Sequence, residues 1–330
     1  MARTLSCRAE TFPLSTPFRI SRGTKTAAEV VTVEIAQDGL FGRGECVPYP
    51  RYGETVAQTI DAIEAARPAV ERGASRAELL QAMPAGAARN AVDCALWDLE
   101  ARLADTDVFT MIGRKPLPDL IATAMTVGLD TPDAMARAAA VLAEVPLMKV
   151  KVDRNDPAAQ LRAVRDAAPR PRMIVDPNES WTIADVTALQ QLLMDLRVDL
   201  LEQPLPAGED QALAGFVSAV PIAADESAHG VDDLASLPDG YGVVNIKLDK
   251  AGGLTAALEL AREARERGLG VMTGCMICSS LSIAPALVIA GTSSFADLDG
   301  PTWLQRDRDG GITFDKGWLH AARPGFWGGS

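Results

Sequence analysis

Histidine is almost missing from this sequence, with His229 and His320 the only two in 330 residues. That scarcity excludes a zinc site built on paired imidazoles, and neither histidine stands near the elbow of a serine hydrolase. Acid–base chemistry must fall to Lys, Asp, Glu, Tyr or Cys. Long apolar runs are missing too: the longest, at 283–290, is far short of the ~20 residues a membrane span requires. The N-terminal segment has no apolar stretch of the kind a secretory signal carries. No basic cluster stands out, and the formal net charge of −12 argues against nucleic acid or an anionic membrane as partner. Cysteines are few and odd in number. Cys7, Cys46, Cys94, Cys275 and Cys278 are scattered, a usage that fits reduced thiols and a cytoplasmic location.

What is present is a large apolar fraction, 48% of the chain, distributed in two rhythms. In the first, VVTVEIAQ (30–37) alternates like a half-buried strand, with Gly39, Gly42, Gly44, Pro48 and Pro50 reading as turn punctuation. Helical periodicity follows from Ala87 to Ala104, where Ala91, Ala95, Leu96, Leu99 and Leu103 share a face. This is an α+β lobe. From about residue 120 the rhythm changes to short apolar runs at 123–129, 147–153, 173–178, 200–204, 222–227, 243–249, 270–275 and 294–299, each followed by an amphipathic stretch. Eight short strands alternating with helices predict a (β/α) barrel rather than an open sheet. The expected division is a capping lobe over 1–115, a barrel over 116–299, and a tail from about 300 to 330 that returns to the lobe.

The active face of such a barrel is the carboxyl end of its strands. Asp176, Glu202 and Asp225 close the third, fourth and fifth strands. Three carboxylates converging there repel one another by several kcal/mol per pair, which a hard divalent cation relieves. An oxygen-only donor set selects Mg²⁺, Mn²⁺ or Ca²⁺ over zinc. Lys149 and Lys151 lie two apart on the second strand and face the same way, and Lys247 on the sixth strand stands across the barrel. Ammonium groups beside each other and a metal depress one another's pKa, so one can act as a base near neutral pH. Bases on both faces of one carbon are what a 1,1-proton transfer needs. Asn178, two residues past Asp176, is expected behind the carboxylates.

This constellation resembles the muconate-lactonizing subgroup of the enolase superfamily, and within it the L-Ala-D/L-Glu epimerases. The likeness is carried by FRISRG (18–23), GECVPYPRYGE (44–54), the segment 84–102, VDPNESW (175–181), LLEQPLP (200–206), ADES (224–227), VNIKLDKAGGLT (244–255), GCMICSS (274–280) and FADLDGPTW (295–303). It implies a modified (β/α)8 barrel of the enolase (β/α)7β type with an α+β N-terminal capping domain. It implies one Mg²⁺ per subunit on Asp176, Glu202 and Asp225, with Lys149, Lys151 and Lys247 as the catalytic lysines. Asp297 and Asp299 match the Asp-x-Asp that holds the dipeptide's ammonium group, and Thr126, Cys275 and Met276 fall beside the substrate. The implied reaction is Mg-dependent epimerisation of a dipeptide's C-terminal residue, in recycling of cell-wall peptides.

An acidic side chain on that residue calls for a cation in the loops above the barrel, which makes Arg22 and Arg51 candidates. Other readings are an N-acylamino acid racemase, an o-succinylbenzoate synthase or a cycloisomerase, or a non-catalytic metal-dependent binding protein. The Asp-x-Asp pair argues against the first three, and the opposed lysines against the last. Cys275-Met-Ile-Cys278 lacks the context of a redox motif. Nothing marks an interface, so homo-oligomers are allowed but not specified.

Overall fold

The computed structural model describes residues 3–21, 23–115 and 120–329. Strands β1 (Thr4–Ile20) and β2 (Gly23–Gln37) form a long antiparallel hairpin, and β3 (Leu40–Cys46) adds to β2. Asp38 and Gly39 both take positive φ, 53° and 80°, as a two-residue turn matched to strand twist requires. Helices α1 (Val56–Glu71), α2 (Arg76–Ala82), α3 (Ala87–Leu103) and α4 (Val108–Met111) follow. Val31, Val33 and Ile35 from one face of β2 pack with Ala91, Ala95, Leu96 and Leu99 of α3. Leu103, expected on that apolar face, is 37% exposed because the helix ends there and runs past the sheet.

Gly42 and Gly44 are strand residues, not turn residues. A Cβ on Gly42 would lie 2.3 Å from the Ala95 carbonyl, and one on Gly44 2.1 Å from that of Ala91. Their lack of a side chain lets the β3 backbone lie directly on α3. The opposite face of α3 grips the second lobe: Arg89 donates to the Gly252 and Ala251 carbonyls (2.9 and 2.7 Å), and Asp93 accepts from Thr255 N (2.9 Å).

After β4 (Leu120–Ala122) come eight parallel strands in consecutive order: β5 (Ala124–Val127), β6 (Leu147–Lys151), β7 (Arg172–Asp176), β8 (Leu200–Glu202), β9 (Ile222–Ala224), β10 (Val243–Ile246), β11 (Gly270–Gly274) and β12 (Phe295–Asp297). Each of the eight apolar runs coincides with one of them, β7 beginning one residue ahead of its run, at Arg172. The seam between β12 and β5 is stitched by side chains: Leu298 N donates to Thr123 Oγ1, and Thr126 N to Asp299 Oδ2, both at 2.8 Å. The fold is thus a modified (β/α)8 barrel under an antiparallel cap.

Helices α5 (Pro132–Val141), α6 (Pro157–Ala167), α7 (Ile183–Asp195), α8 (Leu248–Ala251), α9 (Leu254–Glu266) and α10 (Ser280–Ala290) cover the barrel. Two connections depart from the expected alternation. Single 3₁₀ turns at Asp210–Leu213 and Val231–Ala235 follow β8 and β9. Pro206, Gly208, Gly215 and Pro221 in the first, and Gly230, Pro238 and Gly240 in the second, interrupt any longer helix. Helix α10 is buried on all sides rather than amphipathic.

The tail returns through β13 (Thr313–Asp315) and β14 (Trp318–His320), which pair with each other and with β4. Arg308 joins the lobes, reaching Glu45 Oε2 on β3 at 2.7 Å and Glu10 Oε2 on β1 at 2.9 Å; Glu45 Oε1 also accepts Ser279 N at 2.8 Å. Among the described residues no helix is long and apolar enough to cross a membrane.

Candidate active site

Side chains alternate along a strand with period two, and this parity builds the site. One residue from each barrel strand forms an apolar plug: Ala124, Leu147, Ile174, Leu200, Ala223, Val243, Met272 and Phe295. Two positions further along each strand stand Thr126, Lys149, Asp176, Glu202, Asp225, Asn245, Gly274 and Asp297. The chemistry therefore sits one layer above a dry floor. Most of its charged members are nearly inaccessible: Asp176 and Glu202 are 0% exposed, Asp225 1% and Lys149 2%.

Burying carboxylates costs several kcal/mol each unless they are compensated, and here lysines compensate them. Lys149 Nζ lies 2.7 Å from Glu202 Oε2, 2.8 Å from Asp297 Oδ2 and 3.1 Å from Asp176 Oδ2. Lys151 Nζ donates to Asp176 Oδ2 and Lys247 Nζ to Asp225 Oδ2, each at 2.6 Å. Asn178 N donates to Asp176 Oδ1 at 2.8 Å and its amide to Oδ2 at 3.2 Å, so it does lie behind a carboxylate. It manages both bonds at a positive φ of 47°, a region Asn tolerates.

The electrostatics follow from these contacts. Burial raises the pKa of Glu202 and the Asp176 and Asp225 charges raise it further, to about 7, although Lys149 pulls it down. Burial would raise Asp176 as well, but Lys151 and Lys149 outweigh it and bring it to about 2. Lys247, Lys250 and Lys149 likewise overcome burial at Asp225 and hold it well below the ordinary carboxylate range. Burial works against the charges on Lys149 and Lys247, yet the surrounding carboxylates hold both well above an ordinary lysine.

A cavity of about 490 Å³ opens above this layer. Thr126, Lys149, Lys151, Asn178, Lys247, Cys275, Met276, Asp297 and Asp299 from the barrel line it, whereas Asp176, Glu202 and Asp225 are not part of its lining. Its roof comes from the β1–β2 hairpin (Phe18, Ile20, Gly23, Thr24, Lys25) and from residues 49–52. The hairpin is tethered to the barrel by Leu129 N to Arg19 O (3.1 Å) and Ser21 Oγ to Asn178 O (3.1 Å). Phe18 packs edge-on against Trp303, ring centroids 4.6 Å apart.

Asp299 accepts Thr126 N, and burial together with the Asp297 charge raises its pKa to about 6. Asp297 offers Oδ2 to Lys149, while its buried Oδ1 has no hydrogen bond. Arg51 lines the cavity, but its guanidinium makes two bonds to Glu179 (3.0 and 2.8 Å). Arg22 lies outside the described residues.

Three members of the site escaped the sequence reading. Asn245 donates to Glu202 Oε1 at 2.8 Å, and Gly274 is the space that admits it: a Cβ there would meet Asn245 Oδ1 at 2.6 Å and Lys247 Cε at 3.0 Å. Counting two residues on from the apolar plug would have found both. Lys250, three residues past Lys247, is fully enclosed and bonded to Asp225. A fourth lysine in an apolar stretch was its signal.

Glu202 Oε2 is buried and close to Lys149 but outside hydrogen-bond geometry. As placed, no three His, Cys, Asp or Glu groups among the described residues surround one point; lysine ammonium groups stand between the carboxylates. The donor set of Asp176, Glu202 and Asp225, all oxygen, all buried and one atom lacking a hydrogen bond, nevertheless has the chemistry of a hard-cation site.

Comparison with known proteins agrees with this geometry. Residues 2–113 match the mandelate racemase / muconate lactonizing enzyme N-terminal domain and residues 133–326 the enolase C-terminal domain-like family. The L-Ala-D/L-Glu epimerase of Escherichia coli (strain K12) is 49% identical over 96% of this chain and 99% of its own length. An enolase family member from Agrobacterium tumefaciens with homology to dipeptide epimerases, solved with sodium and L-Ala-L-Glu, superposes with a TM-score of 0.96 at 47% identity, covering 99% of this chain and 100% of that one. The dipeptide epimerase of Enterococcus faecalis V583, solved with Mg and L-Leu-L-Tyr, gives 0.89 at 28% identity over 98% of both chains. With both domains matched, the chain belongs to the enolase superfamily, in its mandelate racemase / muconate lactonizing branch, and is an isomerase.

Proposed function

We propose that the protein is a Mg²⁺-dependent dipeptide epimerase that inverts the α-carbon of the C-terminal residue, with L-Ala-D/L-Glu as its substrate pair. The observation that carries this reading is the placement of Lys151 and Lys247 on β6 and just past β10, on opposite sides of one cavity, each 2.6 Å from a carboxylate. One lysine takes the α-proton, and the other, still protonated, returns one to the opposite face. Both then serve in either direction, with their roles exchanged.

Asp176, Glu202 and Asp225 would hold the metal, which supplies positive charge beside the substrate carboxylate as its α-proton leaves. Lys149, embedded among those carboxylates, directs a proton-donating charge at the same oxygens. Asp297 Oδ1, buried and without a hydrogen bond, is an acceptor suited to the dipeptide's ammonium group, with Asp299 two residues on. Thr126, Cys275 and Met276 shape the wall between the two ends. The capping lobe, residues 1–115, covers the mouth and excludes water, with the tail from about 300 packing on that lobe, while 116–299 carries the chemistry. The relatives' activity fits a cytoplasmic role in recycling cell-wall peptides.

The test is proton NMR of L-Ala-L-Glu in D₂O with purified protein and Mg²⁺, with and without EDTA. The expected result is loss of the Glu α-proton signal and appearance of L-Ala-D-Glu, both stopped by EDTA. Exchange only with other dipeptides would move the specificity. Exchange with none, or exchange indifferent to EDTA, would overturn the reading.

A further inference from the structure

Lys250 is not needed as a base, yet it is as deeply enclosed as Lys149, each 2% exposed. It sits on α8, the single turn after β10. Its ammonium group donates to Asp225 Oδ1 (2.8 Å), Ala228 O (2.8 Å) and Asn245 O (2.9 Å), and also reaches the Asp225 carbonyl. It thereby ties the loop after β9 to the end of β10, the two segments that present Asp225 and Lys247. Asp225 is left with one oxygen toward Lys250 and the other toward Lys247.

The opposite side of the cavity has the same plan with different chemistry. Asp176 turns Oδ2 to Lys151 and is held from behind by Asn178, whose backbone N–H reaches Oδ1. Each proposed base thus leans on a carboxylate that a third residue keeps from rotating. A neutral residue suffices behind Asp176, whereas behind Asp225 the chain buries a full ammonium group, at a desolvation cost. What the ammonium adds is a fixed multi-point anchor on two strands at once, using all three of its protons.

We propose that Lys250 is a positioning residue for one half of the reaction: it orients Asp225, and through it Lys247, so that with the metal site saturated it governs proton transfer on the Lys247 face. This rests on the two-base epimerisation proposed above. Removing Lys250 should therefore handicap one diastereomer of the substrate and largely spare the other. A residue that merely supports the barrel would slow both alike.

The experiment measures exchange of the α-proton for solvent deuterium, starting separately from L-Ala-L-Glu and L-Ala-D-Glu at saturating Mg²⁺. Lys247→Ala identifies the diastereomer whose proton faces Lys247. Lys250→Met should slow exchange from that diastereomer by on the order of 10- to 100-fold, the scale of a displaced catalytic group, with the other changed by less than about 3-fold. Lys250→Gln, which keeps a donor, should recover part of the loss and is the variant to read if the Met variant does not fold. Equal slowing of both diastereomers, slowing of neither, or loss of fold in both variants would overturn the role of Lys250. Wild-type protein that exchanges no dipeptide would instead overturn the proposed reaction itself.

Discussion

Lys151 and Asp176 are register partners on adjacent parallel strands, and the lysine's ammonium group reaches the carboxylate across that register at 2.6 Å. Two residues distant in sequence are thus held by backbone pairing as well as by charge. If Lys151 is a base, Lys151→Ala should lower epimerisation by about 10³-fold, within the range general acid–base groups contribute. The fold, checked by circular dichroism, should persist. Solvent exchange should survive from the diastereomer whose proton faces Lys247. Retention of full epimerase activity would refute the assignment.

Asp297 gives Oδ2 to Lys149, while its Oδ1 is buried without a hydrogen bond. Asp297→Asn removes a charge from the proposed ammonium subsite. A charge-assisted hydrogen bond worth about 1.5–3 kcal/mol corresponds to a loss of roughly 10- to 100-fold in kcat/KM for the free dipeptide. Any effect through Lys149 falls equally on an N-acetylated dipeptide, so the ratio of the two substrates isolates the amine contact. An unchanged ratio would remove Asp297 from substrate recognition.

Gly274 makes room for Asn245 and Lys247. One methyl group there should push both aside without exposing core. Gly274→Ala is expected to cut kcat by on the order of 10²-fold while Tm moves little. A large fall in Tm with kcat intact in the surviving fraction would mean that the space serves packing rather than geometry.

Much of this arrangement is legible in the sequence, and its limits have physical causes. Most barrel strands are short apolar runs with a charged or polar residue at or beside the carboxyl end, so strands and site residues announce each other. Gly42 and Gly44 resemble turn residues because a requirement for close approach leaves the same letter as a requirement for positive φ; only α3, some fifty residues on, tells them apart. Arg51 looks like a reader of acidic ligands until the fold brings Glu179 against it. Asn245 and Lys250 show locally only as a polar step past the plug and a lysine in an apolar stretch. Their meaning comes from neighbours on other strands, which local pattern does not encode.

Asp249 gives a pH prediction with a defined sign. Burial, the largest influence, raises its pKa from 3.8 to about 7, despite bonds from Val47 N and the Asn90 side chain. Between those values the folded state binds more proton than the unfolded state, so Asp249 makes stability fall as pH rises through the window. The penalty is absent below pH 3.8 and complete above about 7. Asp249→Asn keeps the accepting oxygen and cannot ionise. Its stability relative to wild type, followed by thermal unfolding across that range, should therefore improve as pH rises and then level off. A difference constant with pH would contradict the raised pKa.

The two-residue step from the plug to the polar layer also constrains how such a gene can drift. Inserting or deleting one residue within β6 would turn Lys149 and Lys151 toward the helices and bring Met148 and Val150 inward. The catalytic outfit would be lost at once, without any codon for it having changed. Length variation is therefore survivable in the connections, such as those after β8 and β9 where helices have already shrunk to single turns, and lethal to activity within the strands. New specificities on this scaffold should arise by substitution in the hairpin and loops of the roof, while strand lengths stay fixed.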